Sequence, residues 1–66
     1  MNSDLLKKAI RESGITKTHI ASVLEITTQA LNNKLCGKSD WWREEINKLS
    51  EILHLNEQEV RNIFFN

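Results

Sequence analysis

The stretch Thr16 to Lys38 reads TKTHIASVLEITTQALNNKLCGK, and its pattern decides the fold. Thr16 is a helix-capping residue type, because its hydroxyl can accept from the free N–H groups of a first turn. Behind it Ile20, Ala21, Val23 and Leu24 recur at the i, i+3, i+4 spacing of one apolar helix face. Thr27 is a second capping residue. It opens a helix over about Thr28 to Leu35, which Gly37 closes. Only Glu25, Ile26 and Thr27 separate these two helices, and so short a connection forces a tight corner. Ala21 is small and falls mid-helix, where crossing helices touch. Ile20, Leu24, Ile26 and Leu31 supply the apolar contacts that such a corner needs.

Working outward, the flanks are also helical. Ser3 is expected to cap a first helix, with Asp4 in its first turn suiting the helix dipole. Leu6, Ala9 and Ile10 make its apolar stripe, and Gly14 sits where a left-handed stop belongs. A fourth helix starts after the pair Trp41-Trp42, carries Glu44 and Glu45 in its first turn, and points Ile46, Leu49, Ile52 and Leu53 inward. A fifth opens with a capping box, Asn56 as cap and Glu59 three residues on, and carries Val60, Ile63, Phe64 and Phe65. With no Pro and few alternating β-branched runs, the expectation is an all-α chain of five short helices, one domain over residues 1–66. At this size only about 60% of the unfolded surface is buried, so a partner subunit would add stability.

The charges narrow the function. Net charge is +0, yet it is unevenly spread. Residues 1–38 carry Lys7, Lys8, Arg11, Lys17, Lys34 and Lys38 against Asp4, Glu12 and Glu25. Residues 39–66 carry Arg43, Lys48 and Arg61 against Asp40, Glu44, Glu45, Glu51, Glu57 and Glu59. A basic front half and an acidic back half suit a protein with one anion-facing side. Cys36 is the one cysteine, so no internal disulfide and no cysteine-based zinc site can form. No apolar run approaches the ~20 residues of a membrane span, and no signal peptide is visible, so a cytoplasmic location is expected. His19 and His54 are far apart in the chain with no third ligand nearby, which argues against a metal. Glu44 and Glu45 diverge as i, i+1 neighbours, so they make no acid/base pair. With no nucleophile–base pair and no phosphate loop, an enzyme, a cofactor or a small-molecule substrate is not expected.

The stretch Thr16 to Lys38, with the overlapping segment LNNKLCGKSDWWREEI, which runs on to Ile46, and the terminal IFF, resembles the phage Cro and repressor family of lambda-repressor-like helix-turn-helix domains, in particular small Cro-like regulators of Gram-positive phages. The resemblance covers nearly the whole chain. It implies a sequence-specific duplex DNA binder, with the first helix of the corner crossing the backbone and the second entering the major groove. It further implies phosphate contacts at Lys17 and Lys38, with Thr27, Lys34 and Arg43 as further candidates, an aromatic core position at Trp41, and dimerisation through the C-terminal region. There are departures. The family usually has Gly at the corner, where this chain has Glu25; an aliphatic residue in place of Lys34; and often a phosphate-contacting Asn in place of Cys36. A non-Gly residue in left-handed backbone costs on the order of 1 kcal/mol.

The outer face of the second corner helix is the base-reading candidate. Thr28, Gln29, Asn32, Asn33 and Cys36 share one face, opposite Leu31 and Leu35. A plain solvated face would carry Glu, Lys or Ala, whereas Asn and Thr are poor helix formers. Amides can pair bidentately with the major-groove edge of adenine, and Thr can touch the thymine methyl. Thr28, Gln29, Asn32 and Asn33 are therefore the expected readers. At the other end, Val60, Phe64 and Phe65 are the expected dimer interface. Adjacent rings point about 100° apart, so one ring is left outside. A weak homodimer would place its two reading helices about 34 Å apart on an operator. A Cro-like repressor acting by occlusion is the leading expectation. A protein-interaction module of antitoxin or anti-repressor type, which the balanced charge favours, is the alternative.

Overall fold

The computed structural model describes residues 1–65, and among these it contains five helices and no strand. They are α1 (Ser3–Ser13), α2 (Lys17–Leu24), α3 (Thr28–Leu35), α4 (Arg43–Leu53) and α5 (Glu57–Phe64). Each start has a chemical reason. The Thr16 hydroxyl accepts from the His19 N–H at 3.1 Å, and the Thr27 hydroxyl from the Ala30 N–H at 3.0 Å. Asn56 and Glu59 form the expected reciprocal box, at 2.8 and 3.0 Å. Helix α1 begins one residue earlier than expected: Asn2, not Ser3, is its cap, accepting from the Leu5 N–H at 3.1 Å. The Asn2 N–H itself donates to the Ile63 carbonyl at 2.6 Å. That bond ties the chain start to α5 and selects Asn2 over its equally suitable neighbour.

Four helices stop through a residue in left-handed backbone: Gly14 (φ 75°), Glu25 (φ 59°), Gly37 (φ 82°) and His54 (φ 54°). At three of them two hydrogen bonds recover the loose carbonyls. The Ile26 N–H reaches Ala21 O at 3.0 Å while the Glu25 N–H reaches Ser22 O at 3.1 Å. Lys38 and Gly37 do the same to Asn33 O and Lys34 O, and Leu55 and His54 to Ser50 O and Glu51 O. At Gly14 the long bond is relayed instead. The Ser13 hydroxyl accepts from the Ile15 N–H at 3.0 Å and donates to Ile10 O at 2.6 Å.

Left-handed backbone costs a side-chain-bearing residue about 1–2 kcal/mol, which the greater unfolded-state entropy of glycine partly offsets. Glu25→Gly and His54→Gly are each expected to stabilise the fold by about 0.5–1 kcal/mol, a rise in Tm of about 2–8 °C. Gly14→Ala, where an added Cβ would meet nothing within 4 Å, should lose a similar amount from backbone strain alone. Thermal unfolding of the three variants checks this; an unchanged or lower Tm for Glu25→Gly would contradict it.

The helices enclose one core. Leu6 of α1, Ile20 of α2, Leu31 and Leu35 of α3, and Leu49 of α4 are fully buried, each worth on the order of 1.5–3 kcal/mol in burial. Helix α1 lies against α3, α4 and α5, and α2 against α3 and α4. Ala21 is buried in α2 between those neighbours, as its size suggests. Ile26 and Leu55, which follow two of the left-handed stops, pack on the core edge. Ile63 and Phe64 close it from α5. No helix of the described residues is long and apolar enough to cross a membrane.

Candidate nucleic-acid interface

Burying Leu31 and Leu35 turns the opposite face of α3 outward. Thr28, Gln29, Asn32 and Cys36 are exposed on it, and Asn33 is half-buried. The sequence-predicted readers thus fall on one surface. Gln29 Nε2 donates to Asn33 Oδ1 at 3.5 Å, a long bond across one helical turn. It leaves Gln29 Oε1 and Asn33 Nδ2 without a hydrogen bond among the described residues. With the exposed Asn32, whose amide likewise has no partner among the described residues, the face presents several unspent amide acceptors and donors.

Of the phosphate candidates, four stand at element ends and are exposed. Lys17 is the first residue of α2 and Arg43 the first of α4. Thr27 caps α3, and its hydroxyl accepts from Ala30, so its own proton stays available. Lys38 follows Gly37, and its N–H is anchored at 2.8 Å to Asn33 O, from the face that carries the amides. Lys17 and Arg43 stand at helix N-termini, where first-turn N–H groups also favour an anion, whereas Lys38 follows a helix C-terminus and offers its charge alone.

Lys34 is different, and the expectation that it touches phosphate is corrected. Its residue is buried at 7% exposure. The ammonium makes an ion pair with Glu45 Oε1 at 3.0 Å and donates to the Asp40 carbonyl at 2.8 Å. It also lies 5.8 Å from the centre of the Trp41 ring. The same Glu45 Oε1 accepts from the Trp42 N–H at 2.9 Å, which starts α4. The Trp42 side chain has no oxygen with which to cap the first turn in return, so the α4 cap is half a box. The Lys34 ammonium is thus consumed in holding the segment between α3 and α4. Glu45 was invisible to the sequence reading in this role, because residues on different helices share no spacing rule.

The C-terminal aromatic pair divides cleanly. Phe64 is 9% exposed and meets Trp41 edge-on, centroids 5.5 Å apart at 74°. Its place in an interface is corrected: it is core. Phe65 is 69% exposed and Val60 is half-buried at the core edge. Trp41 is half-buried, whereas Trp42 is 73% exposed. No group of three or more His, Cys, Asp or Glu among the described residues could hold a metal.

A five-helix all-α protein with a polar, amide-bearing outer face on α3 is the class these features define. The model of the family described as "Protein of unknown function (DUF739)" matches residues 2–66, and the chain belongs to that family. No curated protein and no solved structure matches it.

Proposed function

We propose that this chain is a sequence-specific duplex DNA-binding regulator of helix-turn-helix type, a Cro-like phage repressor that works in the cytoplasm of a bacterial host by occluding polymerase. The observation that carries the reading is the outer face of α3. It is polar and uncharged, it has amide acceptors and donors unspent, and just beyond its end stands the exposed Lys38, whose N–H is bonded to Asn33 O. Amides on such a helix suit the adenine edge, and Thr28 suits the thymine methyl. Lys17, Thr27, Lys38 and Arg43 would hold the backbone on either side. In this reading the protein is a binder and not an enzyme, with neither cofactor nor small-molecule substrate. Selection of bound sequences from random duplexes, followed by footprinting, tests it. Failure to enrich any sequence would overturn it.

The same reading makes the protein a weak homodimer through Phe65 and Val60, tightened on DNA, with the two α3 helices about 34 Å apart. An exposed ring beside an apolar core edge favours association. Phe65→Ser is expected to leave the Tm within about 4 °C, since surface changes stay near ±0.5 kcal/mol, and to abolish the dimer seen in sedimentation. A parent that stays monomeric at all concentrations, with one chain per operator, would exclude the dimer.

One observation favours a protein-interaction module instead. Trp42 is 73% exposed and shares a depression with Glu25, Glu44 and Arg43, a setting typical of an aromatic anchor for a protein partner. A DNA affinity that barely changes with salt would support that module.

A further inference from the structure

Helix α1 carries three cations that the α2–α3 corner does not use, Lys7, Lys8 and Arg11, and two of them stand together. Lys7 and Arg11 are four residues apart, hence on one face and about 6 Å apart along the axis. Both line a depression that they share with Lys17 at the start of α2. Its floor is apolar, from Ile10 and Leu35, and no carboxylate lines it. All three cations are exposed. Among the described residues no carboxylate lies within ion-pair distance of any of them; the ion pair there is Lys34 with Glu45. Three unpaired cations converging on one concave patch raise the local potential for an anion well above that of scattered lysines. Arg11 has a partial structural use, because a cation in the last turn of α1 favours the helix dipole. Lys7, in the second turn, has none.

We propose that Lys7 and Arg11 hold backbone phosphates of duplex DNA next to the one engaged by Lys17, extending the footprint outward from the bases that α3 reads. This rests on the DNA-binding reading above. The guanidinium of Arg11 suits a phosphate through two parallel N–H bonds, and Lys7 adds a point charge one turn away. These contacts carry no sequence information. They add affinity on every duplex and steepen its dependence on salt.

The test compares two double variants of equal charge. Lys7→Gln/Arg11→Gln removes the patch. Lys8→Gln/Lys48→Gln removes two exposed lysines that lie outside it. Fluorescence anisotropy is read on the best selected duplex and on a scrambled one, across a range of salt. The patch variant is expected to weaken both duplexes by the same factor, on the order of 10-fold. Its salt slope should shrink by about two per chain, at about 0.9 per phosphate released. The control should keep the parental slope. Unchanged binding by the patch variant, or an equal loss in the control, overturns the proposal while the DNA-binding reading stands. A parent that binds no duplex overturns both. Circular dichroism should show melting within about 8 °C of the parent for both variants, because none of the four side chains has a hydrogen-bond or ion-pair partner among the described residues to lose and the Arg11–dipole interaction is worth about 0.3–1 kcal/mol.

Discussion

Glu45→Ala is expected to lower stability by about 3 kcal/mol, a fall in Tm of about 12–24 °C. The carboxylate is the only charged partner of the Lys34 ammonium among the described residues. Removing it leaves a cation buried at 7% exposure, held by one carbonyl and the Trp41 ring alone. Breaking a buried pair in this way costs about 3–5 kcal/mol. The lower end applies here because a long lysine can swing part of the way to water. The Trp42 N–H at the start of α4 loses its acceptor too. The double variant Lys34→Met/Glu45→Gln should behave otherwise. It keeps the apolar stem, removes both charges and leaves an amide oxygen to accept from the Trp42 N–H, and a buried ion pair replaced as a whole by uncharged groups of similar shape is often neutral. Its Tm should stay within about 8 °C of the parent. Differential scanning calorimetry of both variants decides the matter. If Glu45→Ala melts with the parent, the pair does not hold the α3–α4 segment.

Gln29→Ala is expected to weaken the best selected duplex by about 1–3 kcal/mol, about 5- to 150-fold, and to leave a scrambled duplex nearly unaffected. Gln29 is the second residue of α3, at the end that enters the groove in a helix-turn-helix complex. Its amide can accept from adenine N6 and donate to N7; alanine can do neither. Lys38→Ala provides the contrast. It removes a charge that would meet the sugar–phosphate backbone common to all sequences. Both duplexes should therefore weaken together, with the salt slope smaller by about one. Equal loss on both duplexes for Gln29→Ala would mean that α3 does not read bases.

Much of this fold was legible because its instructions are local. Thr16, Thr27 and Asn56 cap the helices they precede. The stripes Leu6 and Ile10, Ile20 and Leu24, and Leu31 and Leu35 are all buried. A hydroxyl or an apolar side chain acts within a turn or two of its own position, so sequence spacing suffices. What escaped was decided across the chain. Asn2 replaced Ser3 as a cap because the Asn2 N–H meets Ile63 O. Of two adjacent phenylalanines, Phe64 went inward because the Trp41 edge is there to receive it. Lys34 read as a surface cation because its partners, Asp40 and Glu45, are supplied by a loop and another helix. The amide face of α3 was legible as a surface, since the burial of Leu31 and Leu35 dictates it. What the face touches is a property of a second molecule, and no internal contact encodes it.

Cys36 ends α3, exposed, and is the one thiol in the sequence. The chain therefore comes with a built-in attachment point for a spectroscopic label, needing no cysteine to be removed first. A nitroxide or fluorophore coupled there would ride at the end of the helix proposed to enter the groove. One label per chain gives one distance per pair of chains. A separation near the ~34 Å rise of one DNA turn would read out directly how two copies straddle a duplex, and any other value would measure the arrangement they adopt instead.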